Sequence, residues 1–181
     1  MKKILYIVSA NSGKMKLSFL LFILINIFSP ANAQVKIDND IIKYFFGDWV
    51  GEGMFSNGKK IAANVTFKLS LDSCWLINTH QDIPPGTYTA VSAWGIDTSG
   101  KWVNNRISNF DGYQQMTSDG WKPSQISFTA KTTKHQNKIF FQHFIYQKIS
   151  HDLFKMTYEV SYDGVAWKEG DHLIFKRTIK N

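Results

Sequence analysis

The chain has 181 residues, 44% of them hydrophobic and 15% aromatic, with a formal net charge of +7. That composition excludes a disordered polar chain and allows one domain with a sizeable core. A single cysteine, Cys74, excludes an internal disulfide, so the core must stabilise the fold unaided.

The N-terminus reads as an export leader. Lys14 and Lys16 form a positive n-region, Leu17 to Phe28 an apolar run, and Ala31-Asn32-Ala33 a small-x-small cleavage site. The run is shorter than the about 20 residues that a membrane span needs. Met15 is the expected start, with residues 1–14 an untranslated extension, and the mature chain is expected to run from Gln34 to Asn181. A periplasmic or secreted protein with no membrane anchor after cleavage follows. The leader holds four lysines and no acid, so the mature net charge falls to +3. With no basic cluster left, a nucleic-acid partner is not expected.

Ile37 to Phe46 is the one helical candidate. Asp38 or Asn39 can cap it, and Ile41, Ile42, Phe45 and Phe46 recur at helical spacing. Everything beyond reads as strands. Ile61, Ala63, Val65, Phe67, Leu69 and Leu71 alternate with polar residues, as do Phe154, Met156, Tyr158, Val160 and Tyr162. Turn signals stand between such runs: Asn57-Gly58, Pro84-Pro85-Gly86, Ser99-Gly100, Asp111-Gly112, Asp119-Gly120 and Asp163-Gly164. About ten short antiparallel strands joined by hairpins predict an all-β, up-and-down barrel, because closure removes exposed edges. A two-sheet sandwich is the competing architecture.

Gly47-Asp48-Trp49-Val50-Gly51-Glu52-Gly53 follows the helix. Gly-x-Trp in this place resembles the signature of lipocalins and their calycin relatives. The resemblance implies that Gly47 and Trp49 close one end of the barrel and that Arg177 of the last strand covers the indole. Trp94-Gly95-Ile96-Asp97, Gly100-Lys101-Trp102, Ser108-Asn109-Phe110-Asp111-Gly112 and Met116-Thr117-Ser118-Asp119-Gly120 resemble a widespread bacterial family of exported, lipocalin-like domains of unknown function. It implies a barrel and no particular reaction. Gly-x-Trp-x-Gly-x-Gly is also similar to the start of the haem-binding nitrobindins, which implies a histidine on a late strand as iron ligand. His172 is late enough. Parity opposes it: if Arg177 points inward, so do Leu173 and Phe175, and His172 points out.

No nucleophile stands beside a base, no glycine-rich phosphate loop is present, and no histidines are spaced for a preformed metal site. No catalytic residue, metal or cofactor is therefore assigned. Cys74 reads as a small buried residue, and His135 and His151 as solvated turn residues. The expected ligand is a small, largely apolar molecule inside the barrel, by analogy of fold. Trp94, Trp102, Arg106, Tyr113, Phe141 and His143 are its candidate contacts, with Trp75 a further ring beside them and His143 or Arg106 the polar anchor. A small enzyme using the same cavity, and an interaction protein with a solid core, are the alternatives.

Overall fold

A computed structural model describes residues 35–134 and 138–178; the expected leader, the start at Met15, and His135 lie outside the described residues. The one helix, α1 (Asn39–Phe45), is capped by Asp38, whose carboxylate accepts from the Asp40 backbone N–H at 2.7 Å. Its Ile41, Ile42 and Phe45 are buried, and Phe46 is left half exposed. Among the described residues no helix is long and apolar enough to cross a membrane.

Ten strands follow: β1 (Gly47–Phe55), β2 (Lys60–Ser70), β3 (Trp75–Asp82), β4 (Thr89–Ile96), β5 (Trp102–Ser108), β6 (Gly112–Ser118), β7 (Gln125–Lys134), β8 (Lys138–Ser150), β9 (Leu153–Ser161) and β10 (Lys168–Arg177). Each pairs antiparallel with its chain neighbours, and β1 pairs with β10 to close the barrel. This excludes the sandwich. The hairpin turns fall at the expected glycine and proline signals. Two described turns lack such a signal: His151-Asp152 between β8 and β9, and the turn between β2 and β3, where Leu71, Asp72 and Ser73 all take positive φ, of 49°, 54° and 66°.

Alternation puts Ala63, Val65 and Phe67 of β2 inside, with Leu76, Asn78, His80 and Asp82 of β3. Phe154, Met156 and Tyr158 of β9 point the same way. The ring has one thin seam: β6 and β7 share a single register pair, Thr117 with Thr129. Side chains bridge it instead. Gln114 Nε2 donates to Thr132 Oγ1 at 2.7 Å and also to Gln142 Oε1.

Candidate functional site

At the α1 end the barrel is plugged. Trp49 is 1% exposed, and its Nε1 donates to the Phe45 carbonyl at 2.8 Å. The Arg177 guanidinium carbon lies 4.2 Å from the indole centroid, a cation–π contact. Its nitrogens donate to the Tyr44 and Phe46 carbonyls at the end of α1 and to Asp152. Charge thus meets the carbonyls that a helix terminus leaves unpaired. Gly47 has φ of +116°, and a Cβ there would stand 3.5 Å from Arg177 Nη1. Above Trp49, Phe45 meets Phe67, Trp94, Trp121 and Phe154 at centroid distances of 5.0–5.7 Å, three of the four pairs edge to face. These rings fill the barrel axis at this end.

At the opposite end a cavity of about 880 Å³, open to the outside, lies beside the Ile83–Tyr88 loop. Phe144, Met156, Leu173 and Phe110 supply apolar wall, while His80, Asp82, Tyr88, Arg106, Tyr158 and Asp171 supply polar groups. Arg106 is 3% exposed, although a guanidinium is costly to bury. Its partners explain the placement. Nη1 donates to the Tyr88 hydroxyl at 2.7 Å, and Nη2 to Gln114 Oε1 at 2.6 Å and to Asp111 Oδ2 at 3.2 Å. Phe144 lies beneath the guanidinium carbon, 4.4 Å away. Gln114 passes the network to Gln142, which donates to the Tyr158 hydroxyl at 2.8 Å. Burial raises the pKa of both phenols, Tyr88 and Tyr158.

Asp82 accepts from the Tyr88 backbone N–H at 3.2 Å and stands 3.0 Å from His80 Nε2. Asp171 faces the same space from β10. Burial, then the nearby Asp82 and Glu169 carboxylates, push its pKa up to about 7, with His172 opposing.

Of the six expected contacts, the structure brings only Arg106 to the cavity. Trp94 is on the inner face but belongs to the plug, 4.5 Å from Tyr146 and 5.1 Å from Phe128. Trp102 also points inward, half-buried, at the plugged end beside Gly120. Tyr113 is 65% exposed and donates to Asn105 on the outer surface. Phe141 faces outward, against Gly164 and 5.7 Å from the Lys131 ammonium. His143 is outside too, stacked on Trp167 at 3.3 Å, with Nδ1 3.5 Å from Glu159. Burial lowers its pKa against the pull of Glu159. On β8 the inner face is Phe140, Gln142, Phe144 and Tyr146, so the two residues expected on the cavity wall take the other parity. Trp75, expected beside them, covers Gly95 on the outer face.

His172 pairs with Thr157 of β9 and shares its outward face with Ile174 and Lys176, with no register shift from Asp171 to Lys176. Glu169 holds its Nδ1. His172 reaches only the rim of the cavity, and its strand parity turns it away from the barrel axis, where Glu169 holds it, so it does not fit the place of an inward iron ligand. Among the described residues no group of three or more His, Cys, Asp or Glu is placed to hold a metal ion. Cys74 is buried, and His151 is exposed beside Asp152.

Sequence reasoning missed His80, Asp82, Tyr88, Gln114, Gln142, Tyr158 and Asp171. Tyr158 was findable, because it alternates with Phe154 and Met156. His80 and Asp82 alternate with Leu76 in the same way.

Neither a family model nor a curated protein matches the sequence. Among solved structures the chain is similar to the crystal structure of Rv2717c from M. tuberculosis. The TM-score is 0.53 at 11% identity, over 77% of this chain and 96% of that one. A redesigned beta barrel, b11L5F_LGL, matches at a TM-score of 0.37 and 12% identity, over 75% of this chain and 93% of that one. At such identity the first likeness speaks to fold alone. At that level the chain is a closed, ten-stranded antiparallel barrel, plugged by α1 at one end and hollow at the other.

Proposed function

We propose that this is an exported binding protein that holds a small molecule, apolar in body and polar at one end, in the hollow of its barrel. The observation that carries the reading is the cavity itself. Its about 880 Å³ falls in the range of small-molecule sites, and a buried, pre-organised Arg106 forms part of its wall. A solid-core interaction protein has no use for that space. The leader motif supports export, and the likeness of the Trp94–Gly120 motifs to exported lipocalin-like bacterial domains agrees with it.

Saturable binding of uncharged N-phenylnaphthylamine is the expected result. Met156→Trp, which pushes an indole into the cavity, should weaken that binding at least tenfold with the fold intact by circular dichroism. No saturable binding, or no effect of Met156→Trp, overturns the reading. A second reading, a small enzyme, rests on His80, whose imidazole Asp82 orients toward the cavity. Turnover abolished by His80→Gln, with probe binding unaltered, would favour it.

A further inference from the structure

A guanidinium donates hydrogen bonds and never accepts them, so Arg106 fixes the direction of every bond that follows it. Its Nη2 donates to Gln114 Oε1 at 2.6 Å. That turns the Gln114 amide nitrogen toward Thr132 Oγ1, at 2.7 Å, and toward Gln142. Gln142 must then present its oxygen to Gln114, which leaves its nitrogen to donate to the Tyr158 hydroxyl at 2.8 Å. Both amide orientations are thus settled by the one group that cannot reverse. The bonds run one way, from Arg106 to Tyr158.

Tyr158 ends this relay with its oxygen engaged as an acceptor and its proton still to be given. Among the described residues none accepts that proton. Tyr158 is half-buried and lines the cavity, whereas Gln114 and Gln142 behind it are buried. Burial raises its pKa, so the phenol keeps its proton at neutral pH. Tyr88, at the other end of the network, differs, because Ser108 as well as Arg106 bonds its hydroxyl.

We propose that the Tyr158 hydroxyl donates to an uncharged carbonyl oxygen on the bound molecule, a ketone, aldehyde, ester or amide with an apolar body. The proposal rests on the cavity being a binding site. The neighbours of Tyr158 set the charge. Asp171 pairs with it across β9 and β10, and Asp82 is close enough to Asp171 to act on its ionisation, so a carboxylate would meet like charge. The Arg106 cation is already matched by Asp111, 3.2 Å away. An ammonium has no lone pair with which to accept. A carbonyl brings an acceptor without a charge, and without a donor of its own to satisfy. Phe144, which pairs with Tyr158 on its other side, and Met156 give the body an apolar wall.

2-Acetylnaphthalene and 2-isopropenylnaphthalene share a shape and differ by oxygen against methylene, and their binding at neutral pH is the test. The native protein should bind both. Tyr158→Phe, which removes only the hydroxyl, should weaken the ketone about fivefold and leave the hydrocarbon within about twofold. The infrared carbonyl stretch of the bound ketone gives a readout that needs no variant. It should lie below its position in hexane, and the shift should vanish in Tyr158→Phe. A stretch at the hexane position in the native protein overturns the proposal and leaves the binding reading standing. A shift undiminished in Tyr158→Phe overturns it as well, because another donor then holds the carbonyl. So does an equal loss of both probes, which assigns the effect to the ring's surroundings. Tighter binding of 2-naphthoate than of the ketone overturns the uncharged ligand. Binding of none of the three overturns both readings.

Discussion

The two ends of this barrel are built from the same strands with the same alternation, yet one is solid and the other hollow. Aromatic rings make the difference at the α1 end. Phe45, Phe67, Trp94, Phe154 and Phe175 interlock, and Gly51 makes room, since a Cβ there would lie 2.5 Å from the Phe175 ring. At the other end, long polar side chains bond to one another along the wall. Arg106, Gln114, Gln142 and Tyr158 hydrogen-bond one to the next there and leave the axis open. Large inward rings are therefore a poor guide to a pocket. In this fold they close one end, and the pocket is walled where the rings thin out and the polar groups find partners.

Stability measurements can break that contrast. Trp49→Ala removes a fully packed ring and should cost about 3–5 kcal/mol in chemical denaturation. Met156→Ala, on the cavity wall, should cost about 2 kcal/mol, the low end for such truncations, because its side chain already borders space. Equal costs at the two sites would mean that the hollow end is as tightly packed as the plug.

Asp171 tests the electrostatics of the hollow. Its pKa is raised in the folded state, from 3.8 to about 7. Across that window the native protein holds a proton that the unfolded chain has released. The stabilising contribution is thus complete below about pH 4 and lost as pH rises through about 7. The loss is up to about 1.4 kcal/mol per pH unit. Asp171→Asn should flatten this slope and raise Tm more at pH 8 than at pH 5. A Tm profile unchanged by the substitution would place the carboxylate in water.

The smallest effect belongs to the outer surface. Tyr113→Ser should alter stability by no more than about 0.5 kcal/mol and leave probe affinity unchanged. A loss of probe binding would put the site outside the barrel, on the face that Tyr113 shares with Ile107.

Much of the barrel was legible because period-two alternation and glycine turns are local signals. The ten strands follow from them; the capped helix follows from its 3.6-residue spacing, and the Trp49–Arg177 contact was expected only from the resemblance of Gly-x-Trp to calycins. Alternation says which residues share a face, however, and not which face is inside. On β8 both faces carry large apolar side chains, Phe141 and Ile145 against Phe144 and Tyr146. Gln142 made the true inner face look like the outer one. Its burial is tolerated because Gln114 and Tyr158 meet its amide, partners that come from other strands. Trp94 and Trp102 show the complementary error: their inward direction was legible, but their height along the axis depends on the stagger between strands. Asp171 was hidden for a further reason. Gly170 sits at a register shift between Glu169 and Asp171, which resets the parity at the start of β10.

Ring closure has a kinetic consequence. The bonds from Arg177 to the end of α1 span 131 residues for Phe46, and the β1–β10 ladder joins the first strand to the last. Contacts so distant in sequence carry a large loop-closure cost and slow folding. No intermediate lacking β10 can be a barrel; it is a curled sheet with β1 and β9 as open edges. The chain therefore commits to its final shape only when its last strand arrives, and the cation seated over Trp49 is the final fastening.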